Sequence, residues 1–145
     1  MSWIEIIMLV GLAYIVYAYQ PGGANLIPLS ALALAIQEHE GWYPGSRSYR
    51  NNNPGNLRFM GQTGAIGVDS GGFAIFGNYE SGFSALERQI KLDRSRNPQW
   101  TISEFISSYA PPVENDDLSY VDSIVQRLTS QGYTASANTT LGSFE

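Results

Sequence analysis

The chain contains no cysteine and a single histidine, His39, among its 145 residues. The absence of cysteine excludes a disulfide framework and a thiolate metal site, and one histidine is too few for a multi-histidine zinc site. A Ser-His-Asp triad would have to use His39. Basic residues are also scarce, since only eight are present and none precedes Arg47. Because they form no dense cluster and the net charge is -5, we expect no nucleic-acid partner.

The first segment of the chain is strongly apolar. Residues 3–19 read WIEIIMLVGLAYIVYAY and carry one charge, Glu5. A membrane-spanning helix needs about 20 residues, with a lower limit of about 17, and the rings of Trp3, Tyr17 and Tyr19 suit the lipid headgroup level. We therefore predict a transmembrane helix in residues 1–20. Two alternatives stay open: a cleavable signal peptide, although no basic residue precedes the apolar stretch, and a hydrophobic helix buried in an oligomer.

The rest of the chain divides into a linker, one globular domain and a tail. Residues 21–28 contain Pro and Gly, which end a helix and allow an independent orientation, so we assign them to a linker. Residues 29–132 are long enough for one domain with a hydrophobic core. Residues 133–145 are rich in Ser, Thr, Ala and Asn and show no periodicity, so we predict a flexible tail.

Composition and apolar spacing predict a mainly helical domain with a loop-rich insert. Helices are expected at residues 30–39, 81–94, 101–109 and 117–131. Thr101 and Glu104 have the spacing of a capping box, and Gly132 suits the position just after a helix. The density of Gly, Asn, Ser and Pro in residues 43–77 indicates loops with a short hairpin. The buried face of the last helix is expected to contain Leu118, Val121, Ile124, Val125 and Leu128.

Glu40, one of two carboxylates at the end of the domain's first helix, is the candidate catalytic residue. At about 100° per residue, Glu40 continues the apolar stripe of Ala33 and Ile36, whereas Glu38 lies on the solvated side. Desolvation at the core edge and the negative helix end are expected to raise the pKa of Glu40, as a general acid requires near neutral pH. Taken alone, the Glu-x-Glu pair would be surface charge at a helix end, but the following residues change this interpretation.

The run RNNNPGNLR, residues 50–58, cannot form a regular element, and its Asn amides suit sugar hydroxyls and N-acetyl groups because they both donate and accept. Together with other motifs, this run resembles phage structural lytic transglycosylases of the lysozyme-like superfamily, over about residues 36–128 of the chain. Each motif is weak alone, and their joint order and spacing carry the resemblance. The motifs are Glu40-Gly41, NPGNLR at Asn53 to Arg58, GFAIF at Gly72 to Phe76, Gly82 with Ala85-Leu86, Tyr109-Ala110-Pro111, Glu114-Asn115-Asp116 and Tyr120.

The resemblance implies a mainly α, lysozyme-like α+β fold with the substrate cleft between two lobes. Glu40 would be the single catalytic acid/base, and neither metal nor cofactor would be needed. Soluble members have Ser after this Glu, whereas Gly41 follows here, which fits the phage branch and leaves open which group positions the sugar. The glycan would be bound by Asn53, Asn56, Arg58, Tyr109, Asn115 and Tyr120.

The implied reaction is cleavage of the bond between N-acetylmuramic acid and N-acetylglucosamine without water. A hydrolytic muramidase is the alternative enzyme and needs a second carboxylate; Asp69 and Glu80 are the candidates, although each also suits a plain loop or helix start. A catalytically inert wall-binding or structural subunit is the alternative from another class. One or two loop aromatics are expected under a sugar face, from Trp42, Tyr43, Tyr49, Phe59, Phe73 and Phe76.

The expected partners are peptidoglycan glycan strands, a lipid membrane contacted through residues 3–19 and, as candidates, other virion proteins. A single-pass anchor would place the enzyme in the internal membrane of a phage virion, or in the host cytoplasmic membrane before assembly. There it would breach the host wall at entry.

Overall fold

A computed structural model of the chain describes residues 26–110 and 117–145. These residues form five α-helices, one short 3-10 helix and a two-stranded antiparallel sheet. About half of the described residues are helical and they include a small two-stranded hairpin, which agrees with the predicted helix-rich class with a short hairpin in its loop-rich part. The helices are α1 (Leu29–His39), α2 (Arg47–Arg50), α3 (Tyr79–Arg96), α4 (Ile102–Tyr109) and α5 (Asp117–Ser130), and the strands are β1 (Ala65–Val68) and β2 (Ala74–Phe76).

The transmembrane helix predicted for residues 1–20 lies outside the described residues, as does the part of the linker up to residue 25. Within residues 26–110 and 117–145, no helix is both long enough and apolar enough to cross a membrane.

Local capping signals set the helix ends. The Thr101 hydroxyl accepts the Glu104 N–H at 3.2 Å, and the Glu104 carboxylate accepts the Thr101 N–H at 2.8 Å, so the predicted capping box is present. The Asn78 side chain accepts the Ser81 N–H at 2.8 Å and starts α3. Gly132 follows α5 with a φ of 90°, a left-handed conformation that glycine adopts without a steric penalty.

The core forms where α1 packs against α3 and α5, with α4 against α5. Leu118 was expected in this core but is 76% exposed. It precedes Ile124 by six residues, which places it about 120° away round the helix, and Tyr120 occupies the buried face instead. Fully buried side chains include Leu32, Ile36, Leu86, Ile90, Phe105, Ile106, Tyr120, Ile124 and Leu128.

The C-terminal segment is packed on the domain, so the prediction of a flexible tail at residues 133–145 is wrong. Leu141 and Phe144 are both 0% exposed. Ile27 and Phe144 form a parallel bridge, in which the Ile27 N–H donates to the Ser143 carbonyl at 3.1 Å. Ile27, assigned to the linker from sequence, therefore belongs to the domain. Two isolated apolar residues produce no periodic signal, which is why the sequence did not reveal this packing.

Residues 51–58, here called the asparagine loop, are attached to β2. The Ala74 N–H donates to the Leu57 carbonyl at 2.9 Å, and the Phe76 N–H donates to the Asn51 carbonyl at 2.8 Å. Since β2 also packs on α3, the hairpin holds the loop against the helical core. The end of α1 lies on the side of the asparagine loop that faces away from β2. The candidate site forms between the end of α1 and this loop.

Candidate active site

A cleft of about 890 Å³ opens beside the end of α1. Four of the residues predicted for the site line it, namely Glu40, Asn56, Arg58 and Tyr109. They come from the end of α1, the asparagine loop and the end of α4, so the fold brings together side chains that are up to 69 positions apart. Asn115 lies outside the described residues.

Glu40 is the C-cap residue of α1, and the helix stops there because Gly41 turns the chain with a φ of 77°. The residue is half-buried, in agreement with its predicted place at the edge of the core. The Asn56 amide donates to Glu40 Oε2 at 3.2 Å, and the Tyr120 hydroxyl donates to Glu40 Oε1 at 2.7 Å. Both carboxyl oxygens are therefore held, and the group is presented to the cleft in one orientation.

Asn53 and Asn56 have different roles, although both were predicted to bind substrate. Asn53 is 0% exposed. Its amide donates to the carbonyls of Leu57 and Ala74 at 3.0 and 2.9 Å and accepts the Leu57 N–H at 2.9 Å. Its side chain is thus used to close the loop, and the prediction that it contacts substrate is not supported. Asn56 adopts a positive φ of 50°, and this turn directs its amide to Glu40.

Two tyrosines flank Glu40. Tyr120 is fully buried; burial, together with the nearby Tyr109 and Glu40, raises its pKa far above the ordinary value. Tyr109 donates its hydroxyl to the Gly55 carbonyl, and burial followed by the charges of Glu40 and Asp93 raises its pKa as well. Both phenols therefore stay protonated over the whole neutral range. Tyr120 is a permanent donor to Glu40, whereas Tyr109 fixes the asparagine loop.

The two carboxylates proposed for a hydrolase lie outside the lining of this cleft. Asp69 accepts the N–H groups of Gly71 and Phe73 at 2.9 Å each and the Asn51 amide at 2.8 Å. These hydrogen bonds lower the pKa of Asp69, and the bond from the Phe73 N–H has the largest effect. The Asp69 side chain therefore stabilises the turn before β2. Glu80 is exposed in the first turn of α3.

Sequence reasoning missed several residues of the cleft. Asp93 and Gln89 of α3 line it, joined by a 2.9 Å hydrogen bond from the Gln89 amide to the Asp93 carboxylate. Arg47 of α2 lines it too. None of these residues belongs to a recognisable motif. A polar pair four positions apart on a helix is the only available signal, and it is common on ordinary surfaces.

Among the loop aromatics proposed as sugar platforms, Phe73 lines the cleft but is only 9% exposed. The guanidinium carbons of Arg47 and Arg58 each lie 4.3 Å from the centre of its ring. The Phe73 ring is therefore in contact with the guanidinium groups of Arg47 and Arg58 and is not open as a platform for a sugar. The ring of Trp42 packs at 5.0 Å from that of Tyr49, and neither residue lines the cleft. Within the described residues, no three or more His, Asp or Glu side chains converge as a metal site would require.

His39 connects the site to the stability of the fold. Its ring stacks on that of Tyr120, with centroids 3.7 Å apart and planes 12° from parallel. Burial, followed by the charge of Arg127, lowers the pKa of His39 below its ordinary value of 6.5. The folded protein thus binds a proton here less readily than the unfolded chain. The contribution of His39 to stability is therefore fully present above about pH 6.5 and is lost as the pH falls through its lowered folded-state pKa.

We expect urea denaturation to give a lower free energy of unfolding at pH 5.5 than at pH 7.5. The difference should shrink in His39→Phe, because phenylalanine keeps a ring against Tyr120 but cannot bind a proton. If both proteins lost the same free energy between the two pH values, His39 would not be the group responsible.

Comparison of the chain with models of protein families, with curated proteins and with solved structures yields no match.

Proposed function

We propose that the protein is a peptidoglycan lytic transglycosylase of lysozyme-like architecture that cleaves the bond between N-acetylmuramic acid and N-acetylglucosamine. The observation that supports it most is the setting of Glu40. Glu40 is half-buried at the wall of the cleft. Hydrogen bonds from Asn56 and Tyr120 hold both of its oxygens. A fixed, partly desolvated carboxyl group in a cleft is the arrangement that general acid catalysis requires.

In the proposed reaction, Glu40 gives its proton to the glycosidic oxygen as the bond from that oxygen to C1 of the muramic sugar breaks. The C6 hydroxyl oxygen of the same sugar then bonds to C1, and its proton passes to the Glu40 carboxylate. Glu40 ends protonated, as it began, and the product is a 1,6-anhydro ring. Tyr120 and Asn56 stabilise the intermediate carboxylate because both donate to it, and they prevent its rotation between the two steps.

A hydrolytic muramidase is the second candidate, and Asp93 is the observation that favours it. A retaining hydrolase needs a second carboxylate about 5–5.5 Å from the acid, and an inverting one needs about 6.5–9.5 Å. Asp93 lines the same cleft as Glu40 and comes from a different element, α3. Its carboxylate accepts a hydrogen bond from the Gln89 amide, which would hold the carboxylate in one orientation.

The product distinguishes the two reactions. We expect mass spectrometry of fragments released from purified peptidoglycan by the full chain to show muropeptides that end in 1,6-anhydro-muramic acid. Asp93→Asn should still form them, because the transglycosylase reaction needs one carboxylate. Fragments one water heavier, and their loss in Asp93→Asn, would establish the muramidase instead. Release of neither fragment by the folded protein would leave the inert wall-binding subunit.

The proposal includes the membrane anchor at residues 3–19 and a place among virion proteins, where the enzyme would open the host wall at entry. Recovery of the protein in free cells alone, and never in purified particles, would contradict the virion assignment.

A further inference from the structure

One end of the Asn56 amide has no hydrogen-bond partner among the described residues. Asn56 Oδ1 is buried and accepts no hydrogen bond there, whereas Nδ2 of the same amide donates to Glu40 Oε2 at 3.2 Å. A buried acceptor without a donor is unfavourable, and native proteins satisfy almost all such groups. The Asn56 amide is therefore held at its nitrogen end alone.

The other amides of the asparagine loop are held at both ends or by groups that only accept. Asn53 is engaged at both ends, by two carbonyl oxygens and one backbone N–H. Asn52 Nδ2 donates to the Phe76 carbonyl at 3.1 Å. Asn51 Nδ2 donates at 2.8 Å to the carboxylate of Asp69, which also accepts two backbone N–H groups. None of these contacts changes from acceptor to donor during the proposed reaction, so each of the three amides keeps one orientation.

Glu40 does change between acceptor and donor. As a carboxylate it only accepts hydrogen bonds, and the Asn56 amide donates to it; as a carboxylic acid it carries a hydroxyl group that can donate. The Tyr120 hydroxyl donates to Oε1 at 2.7 Å, which favours the acid proton on Oε2, the oxygen that faces Asn56. A proton directed from Oε2 to Nδ2 would meet the hydrogens of the amide. The acid form and this amide orientation are therefore poorly matched.

We propose that the Asn56 amide rotates with the protonation state of Glu40, so that Nδ2 donates to the carboxylate and Oδ1 accepts the proton of the carboxylic acid. The rotation of about 180° uses only the terminal torsion of the side chain, which is broad and roughly two-fold. Either end of the amide would occupy the same buried position, so the burial of a polar group costs a similar amount in both orientations. The Glu40 proton then decides between them. Asn56 is thus a positioning residue, and its rotation transfers no proton.

The rotation serves the two steps of the proposed reaction, and this use rests on the proposed function. Before the first step, Oδ1 would hold the Glu40 proton until it passes to the glycosidic oxygen. Nδ2 would then turn to the carboxylate while the C6 hydroxyl bonds to C1, and Oδ1 would return once Glu40 has taken up the hydroxyl proton. An amide fixed with Nδ2 toward Glu40 would stabilise only the carboxylate, and it would oppose the acid form that begins each cycle.

Other ionisable groups of the described residues lie near Glu40 or line the same cleft. They are Tyr120 of α5, Tyr109 of α4, Asp93 of α3, Arg47 of α2, Arg58 of the asparagine loop, and His39 of α1 with the Arg127–Glu38 ion pair beside it. These groups set the pH at which Glu40 releases its proton. The orientation of the Asn56 amide follows that proton at whatever pH it leaves.

Nuclear magnetic resonance of the isotope-labelled full chain in detergent micelles tests the rotation directly. The Glu40 Cδ signal gives the pH midpoint at which the residue titrates. Above this midpoint, the Nδ2 hydrogens of Asn56 should show a nuclear Overhauser effect to the Glu40 Cγ hydrogens. Below it, this effect should be lost, because the rotation moves the hydrogens away from Glu40. An effect of unchanged strength on both sides of the midpoint would show a fixed amide and overturn the proposal.

Asn56→Ala and Asn52→Ala are the matched variants. Both positions lie in the same loop with a positive φ, 50° at Asn56 and 48° at Asn52, so the backbone strain of alanine is similar. Because the rotating amide supports both forms of Glu40, the midpoint of Glu40 in Asn56→Ala should stay within about 0.3 pH units of the wild type. Loss of a donor to the carboxylate alone would instead raise the midpoint by about one pH unit, and that result would contradict the rotation. Asn52→Ala should leave the midpoint unchanged.

These measurements use no substrate and therefore separate the rotation from the proposed function. If the full chain released no fragments from peptidoglycan, the enzymatic proposal would fall, and the signals of Asn56 and Glu40 would still decide the rotation. If Asn56→Ala failed to fold, as its melting temperature would show, the wild-type titration alone decides.

Discussion

Glu40→Gln is expected to abolish the release of glycan fragments from peptidoglycan while the fold is preserved. Glutamine has nearly the same shape but cannot donate or accept the catalytic proton. General acid–base catalysis contributes about 10²–10⁴ to a rate, and one residue here provides both the acid and the base step. The Tyr120 hydroxyl can still donate to the amide oxygen of glutamine, so the melting temperature should change little. Fragment release and thermal denaturation on the same preparations provide the two measurements.

Glu38→Gln is the matched control. Glu38 lies two residues earlier on the same helix and carries the same charge, but its side chain is 55% exposed and pairs with Arg127 at 2.8 Å. An exposed ion pair contributes at most about 1 kcal/mol, so Glu38→Gln should be stable and active. Full activity in Glu40→Gln, or equal losses in the two variants, would show that the catalytic group lies elsewhere.

Gly82→Ala is expected to destabilise the protein by about 3 kcal/mol or more, which corresponds to a fall in melting temperature of about 10 °C. Gly82 lies on α3, where the helix contacts the asparagine loop. A Cβ atom at this position would lie 1.7 Å from the Asn52 carbonyl oxygen, 2.9 Å from its carbon and 3.0 Å from Pro54 Cδ. The first two are backbone atoms, so no side-chain rotation relieves the overlap. Either the loop or the helix must move.

Gly77→Ala provides the comparison for this measurement. A Cβ atom there meets no heavy atom within 4 Å, so the substitution should leave stability unchanged or raise it by up to about 1 kcal/mol. Similar melting temperatures for the two variants would contradict the close contact between α3 and the loop. If Gly82→Ala folds, its fragment release should fall as well, because the loop that shifts also carries Asn56.

The half-burial of Glu40 was predicted from sequence because it depends on local spacing. Its half-burial follows from the position of one residue on a helix whose apolar stripe is visible in the sequence. The ends of α4 and α5 were equally readable, since a capping box and a terminal glycine act within a few residues of the chain. Such features need no knowledge of what the helix packs against.

The errors arose where the answer depends on distant parts of the chain. Asn53 and Asn56 stand in one polar run, and nothing in the run distinguishes the amide that closes the loop from the amide that faces Glu40. That distinction comes from β2, because the Ala74 carbonyl accepts a hydrogen bond from the Asn53 amide. Asp69 was the candidate second carboxylate of the alternative hydrolase and equally suited a plain loop. Three hydrogen-bond donors from its own turn and from Asn51 engage it, which agrees with the loop interpretation.

The sequence by itself determined the helix-rich class, the capped helix ends and the half-burial of Glu40, because each depends on spacing within a few helical turns. Only the tertiary structure decided the partners of that acid and the charge of the cleft. Tyr120 reaches Glu40 across 80 positions of the chain, and Asp93, Arg47 and Arg58 meet in one cleft from three separate elements. Contacts at such separation arise from packing of the hydrophobic core, which leaves no periodic trace in the polar residues that it brings together.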